Sequence, residues 1–421
     1  MKYFVPCLLL ILFAPSILGQ NEFKNACYSQ NVHTVLVHPV GNPLGNALIG
    51  FQSGEILEFH FDVMGTEFNY YNFGVIHCTH DWKQSELEPN EYLQGFQTQS
   101  ISEFEAAFST MYDYVHYKFS YPGDMSKPRY SGNYLMVVFD GQDINDRSKW
   151  LITYRFVIYE SAVTINSRVA PSSIVAERFK MQEVDFDIGH KDFSINDPMR
   201  DLNVTIIQNM DWNSSVNNLK PIFIKQDVLT YDYSMGENNF EAGSEYRNFE
   251  VKNVRYVSNE VEYIMLEPDG FNVYLRPDLP EGRKAYATWN DLNGNFLVKT
   301  DGTSDSNLEG DYVMVHFKLT MPEISESDII IEGRLNAFND KPMICKYDKA
   351  SGSYLYTALL KQGYYNYRYV SRDKYFAKND LRTTEGSYAA TENTYHIILY
   401  MYDRMRGYDR VIALKADASA R

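Results

Sequence analysis

Period-two alternation is the property that most restricts how this chain can fold. From Leu57 to Val63, apolar Leu57, Phe59, Phe61 and Val63 alternate with Glu58, His60 and Asp62, the pattern of a strand with one wet face. Similar strands are expected over Tyr112 to Phe119, Asn133 to Phe139, Lys149 to Tyr159 and Tyr312 to Leu319. Pro122–Gly123 and Asp140–Gly141 mark turns between them. Asn293–Gly294 predicts a hairpin joining Ala285 to Trp289 with Phe296 to Thr300. A closing hairpin is expected from Tyr395 to Tyr402 and Tyr408 to Leu414, around Gly407. Capped stretches of helical period are missing, apart from a short turn near Ser102 to Ala107. The 34 Tyr and 25 Phe point the same way, because aromatic side chains suit half-buried pleated surfaces. The chain reads as all-β.

Turns at roughly 8–12-residue spacing imply sandwiches rather than one large sheet. Two seams break the strand pattern, one around Ser161 to Ser173 and one around Thr320 to Asp328. They predict a signal segment at 1–20 and sandwiches at 30–160, 170–320 and 325–416. The signal reading rests on Lys2, the apolar run Leu8 to Phe13 and the small residue Gly19. It predicts an exported, cleaved chain. No later stretch reaches the roughly 20 apolar residues of a spanning helix, so direct membrane insertion is not expected.

The 421 residues carry a formal charge of −16, which leaves no electrostatic footprint for nucleic acid. Beyond the signal, Cys27, Cys78 and Cys345 form no disulfide framework and read as small apolar residues. His77, Cys78, His80 and Asp81 are metal-ligand types, but strand alternation splits them between two faces. Asp291 to Asn295 imitates the start of a calcium loop, yet Phe296 stands where the glycine belongs. Neither a serine elbow nor a phosphate-cradling glycine loop is present. No catalytic residue, metal or cofactor is expected. In Gly363 to Tyr369, Tyr365, Tyr367 and Tyr369 share one face of a strand. They form either a cross-strand ladder in a core or an exposed platform for a sugar or protein.

Several groups of residues carry a family resemblance. The first domain has His77–Cys78, Asp81–Trp82, Ser85, Leu87, Glu91 to Leu93, Gly95–Phe96, Tyr114, His116–Tyr117 and Ser131 to Leu135. The second has Gln208 to Met210, Trp212, Leu219 to Pro221 and Asn239 to Arg247. The third has Leu359 to Tyr367. Together they resemble the plug proteins of the type IX secretion system. That resemblance implies a periplasmic stopper, peripheral to the outer membrane, whose partner is the giant translocon barrel, with no catalysis and no cofactor. Asp81 and Trp82 are candidate partner contacts, or a loop anchor, and Tyr365, Tyr367 and Tyr369 are further candidates. Ala337 to Asp340, Met343, Gly352, Tyr354 and Leu360 to Tyr367 also resemble the early-set sandwiches of glycogen- and starch-binding modules. The third domain is accordingly expected to be immunoglobulin-like, and a periplasmic glycan-binding protein is the alternative function.

Overall fold

The computed structural model describes residues 23–419 apart from 283, 337 and 339–341. The signal segment lies outside the described residues. Strands make up 48% of the chain and helix 5%, so the all-β reading holds. In the first sandwich, one sheet orders Ala26–Cys27, Trp150–Tyr159, Gly132–Phe139, Asn72–Cys78 and Thr98–Ser100. The facing sheet orders Val32–Pro39, Leu57–Met64, Tyr114–Tyr121 and Glu103–Ala106. The Leu57 alternation sends Phe59, Phe61 and Val63 into the core between them.

The two C-terminal units are not consecutive. One sheet of the second sandwich is Thr164–Pro171, Met181–Gly189, Val228–Tyr231 and Phe223–Ile224. The other is Val216–Leu219, Leu202–Gln208, Thr394–Asp403 and Tyr408–Ala418, so the closing hairpin returns to complete it. The third sandwich is inserted between Asn239–Glu241 and Thr394–Asp403. Its sheets are centred on Gly363–Asp373 and on the pair Tyr312–Thr320 and Ser353–Lys361. The expected boundaries 170–320 and 325–416 therefore give way to a split second unit and an inserted third. The reason is pairing: Tyr312–Thr320 bonds Ser353–Lys361 across the supposed seam at 320–328.

Two local expectations also change. Glu103–Ala106 is a strand rather than a helical turn. Asn293 and Gly294 do adopt left-handed φ values of 50° and 81°, but Phe296–Val298 pairs with Gly363–Asp373 and not with residues 285–289. A short-range turn signal fixes the bend without naming the strand's partner.

The first and second sandwiches share a sheet-on-sheet interface. All eight residues of Gly132–Phe139 are buried. Tyr134, Met136 and Val138 enter the first core, while Leu135, Val137 and Phe139 pack outward against Ile207, Ile398, Tyr400 and Val411. A strand covered on both faces needs a continuous apolar run, which Tyr134 to Phe139 supplies. Each such side chain taken out of water contributes roughly 1.5–3 kcal/mol.

Candidate functional site

Asp81 and Trp82 occupy the corner after Asn72–Cys78, where the first sandwich meets the second. Trp82 is 3% exposed, with φ 59°. Its ring meets Trp212 edge-on at 4.8 Å, and the Arg155 guanidinium lies 4.7 Å from the Trp82 ring and 5.5 Å from that of Trp212. Asp81 is half-exposed; it accepts from Thr79 Oγ1 at 2.5 Å and pairs with Lys83 at 2.7 Å. Burial would raise its carboxyl, but the Lys83 and Thr79 contacts hold it below its ordinary value. Asp81 thus ties the loop and Trp82 fills the joint beneath it.

The neighbouring donors separate, as strand alternation requires. His77 sits among Tyr92, Tyr134 and Tyr408, with Nδ1 2.9 Å from Ser85 Oγ. Burial depresses it to about 4. Cys78 packs in the interface between the sandwiches, where burial pushes its thiol up. His80 reaches across that interface: its backbone N–H donates to Asp409 Oδ2 at 2.9 Å and its Nδ1 lies 3.0 Å from the same oxygen. Tyr400 OH donates to Asn133 Oδ1 at 3.0 Å nearby. Cys27, Cys78 and Cys345 carry no disulfide.

Tyr365, Tyr367 and Tyr369 are 2%, 3% and 0% exposed. They do share a face, but it is the inner one. Tyr367 and Tyr369 donate to Asp278 Oδ2 at 2.8 and 3.0 Å. Arg247 pairs with Asp278 at 2.8 Å and with Glu385 at 3.0 Å. Of the two readings the cross-strand ladder is the one that forms, buried and with a charged anchor, so these tyrosines are not surface contacts. Asp291, from the calcium-like segment, instead accepts from the backbone of Tyr246 and Asn293, which makes it a turn anchor.

The joint between the first and third sandwiches went unread in the sequence. Asp62, on the apparently wet face of its strand, pairs with Lys361 at 2.6 Å, and both side chains are 1% exposed. Tyr312 OH donates to Asp62 Oδ2 at 2.7 Å, and His116 Nδ1 donates to Oδ1 at 2.7 Å. The Lys361 ammonium also donates to the Asn307 carbonyl and stands 4.1 Å over the Tyr114 ring. Burial works against the Asp62 charge, yet Lys361 and His116 keep the carboxyl below its ordinary value. Lys361, interrupting an otherwise apolar Leu359–Leu360 run, was the available signal; nothing local says that its partner stands 299 positions away.

A three-way contact completes the arrangement. Arg334 of the third sandwich donates to Asn46 Oδ1 of the first at 2.6 Å, and Asn46 Nδ2 lies 3.3 Å from His396 Nε2 of the second. Asn209, in the second-domain motif, bonds Asn393 at 2.8 Å where the chain re-enters the second sandwich. Motif residues such as Trp82, Asn133, His116, Trp212, Asn209 and Lys361 thus concentrate at joints. Large apolar side chains that face solvent lie elsewhere, for example Phe179, Met235, Phe376 and Met405 on loops, with Tyr263 and Leu266 on the strand Val261–Glu267.

Three sandwiches joined through polar and aromatic contacts define a tandem β-sandwich protein held as one body. Residues 32–160 match the model for the type 9 secretion system plug protein 1st domain. Over those residues the chain is similar to the type IX secretion system plug protein family, which supports a plug-type protein. The crystal structure of a hypothetical protein from Parabacteroides merdae is similar throughout. It is 29% identical with a TM-score of 0.90, over 95% of this chain and 100% of that one. No curated protein matches the chain in sequence. Among the described residues, no helix is long and apolar enough to cross a membrane.

Proposed function

We propose that this protein is a non-enzymatic stopper: exported to the periplasm, it binds the mouth of the outer-membrane translocon barrel of the type IX secretion system and closes the pore when nothing is in transit. The observation that carries this reading is the match of the first sandwich to the plug family's first domain. Its mechanical requirement is a body that covers a wide opening without parting. The junctions built on Asp62–Lys361, Trp82–Trp212 and Arg334–Asn46 supply that cohesion. Contact would then fall to the exposed loop apolars rather than to the buried tyrosines. Such an interface should reach or exceed the standard total burial of about 1,600 Å² and remain reversible. The glycan-binding alternative loses the platform on which it rested, and the Ala337 to Asp340 step on which its early-set likeness leaned is, apart from Phe338, outside the described residues.

Removal of the gene in cells with an intact barrel is expected to raise uptake of a large, normally excluded dye several-fold. Unchanged uptake, with the barrel present and unoccupied, would remove the stopper role.

A further inference from the structure

Among the described residues, His38, Glu58 and His60 each place one potential ligand atom within 4.8 Å of the other two. The strand register explains the convergence. His38 lies directly opposite Glu58 across the Val32–Pro39 and Leu57–Met64 pair, and His60 is two residues from Glu58, on the same face. The rings of His38, His60 and His116 lie in a row with nearly parallel planes, with centroids 5.4 and 5.3 Å apart.

Their hydrogen bonds fix which nitrogens remain open. His116 gives its Nδ1–H to Asp62, so its Nε2 accepts from His60 Nδ1, 3.1 Å away. That leaves the His60 Nε2 lone pair for a ligand role. His38 Nδ1 lies 3.1 Å from the Pro39 carbonyl and donates to it, leaving the His38 Nε2 lone pair as well. Carboxylate or carbonyl acceptors behind a ligating histidine are the usual way a metal site sets tautomer and ring orientation. Glu58 meets Lys118 through Oε1 at 2.6 Å, which leaves its second oxygen.

We propose that His38, Glu58 and His60 form a divalent transition-metal site, suited to zinc, with an open fourth position. Two imidazoles and a carboxylate are a known zinc donor set. A tetrahedral ion holds its donors about 3.3 Å apart, given Zn–N and Zn–O distances near 2.0–2.2 Å, so the three side chains close slightly on binding. The Lys118 ammonium opposes the ion by like charge. The relay His60–His116–Asp62 runs from the site into the Asp62–Lys361 joint, so an ion there braces the contact between the first and third sandwiches.

The test is zinc titration of the whole mature protein by calorimetry, with cobalt as a spectroscopic substitute. One ion per chain is expected, with tetrahedral cobalt absorption. His38→Ala and Glu58→Gln, both outside the deep core, should each weaken binding at least tenfold, and Lys118→Met should strengthen it severalfold. His60→Ala is a weaker test because a buried ring is lost. Failure to bind one zinc, or affinity unchanged in both His38→Ala and Glu58→Gln, would overturn the site.

Discussion

Replacing Lys361 with Met is expected to lower the stability of the protein by about 3–5 kcal/mol, the usual consequence of stranding one member of a buried ion pair. The cost arises because Asp62 keeps its charge-favouring partners Tyr312 and His116 but loses the ammonium at 2.6 Å. Since Asp62 belongs to the first sandwich and Lys361 to the third, the loss should also loosen their joint and raise proteolytic cleavage between them. Urea unfolding of the single variant and of Asp62→Asn/Lys361→Met separates the terms. The double variant should recover a large share of the loss, because a neutral amide beside a thioether leaves no buried unpaired charge. A single-variant loss below about 1 kcal/mol would mean that water reaches the joint.

Acidification should produce the second large effect. His77 and His396 are both depressed to about 4, His77 by burial and His396 by burial with Arg334 nearby. A histidine whose folded value lies below its unfolded value of about 6.5 adds stability at higher pH, and that stability disappears as pH falls toward 4. Each should account for about 3 kcal/mol by the lower end of that window. Asp291 opposes them: burial raises it to about 6, so it takes up a proton in the folded chain first and returns up to about 3 kcal/mol. With His60, depressed to about 3 by burial and by His116, His38 and Lys118 nearby, counted as a third such group, the expected net loss between pH 7 and pH 4 is about 6 kcal/mol, and about 3 kcal/mol greater in Asp291→Asn. Urea midpoints at the two pH values check this. Equal or greater stability at pH 4 would contradict it.

These two effects trace what was legible in the sequence. Alternation in Leu57 to Val63 gave a strand and its inner face, because side-chain period is a local property. It could not say that the outer face, with His60 and Asp62, meets another sandwich. The closing hairpin was equally legible as a hairpin, yet its sheet was not, since Leu202–Gln208 lies nearly two hundred positions earlier. Nothing in residues 320–328 distinguishes a linker between domains from a loop within one. The same blindness to long-range pairing affected the candidate site. Tyr365, Tyr367 and Tyr369 were placed on one face correctly, but only the sheet formed by Tyr312–Thr320 and its partners shows that face to be covered. Split donors at His77 to Asp81 were readable because both faces belong to one strand end. Convergence of His38 with Glu58 and His60 was not, because it depends on the register between two strands.

The proposed role requires this body to close the translocon pore. Ion conductance through the purified barrel in a planar bilayer, recorded before and after adding the mature protein on the periplasmic side, tests it most directly. A large open-state conductance is expected to fall to near baseline as protein binds and to return on washing it out. Saturating, stoichiometric binding that leaves the conductance unchanged would contradict it.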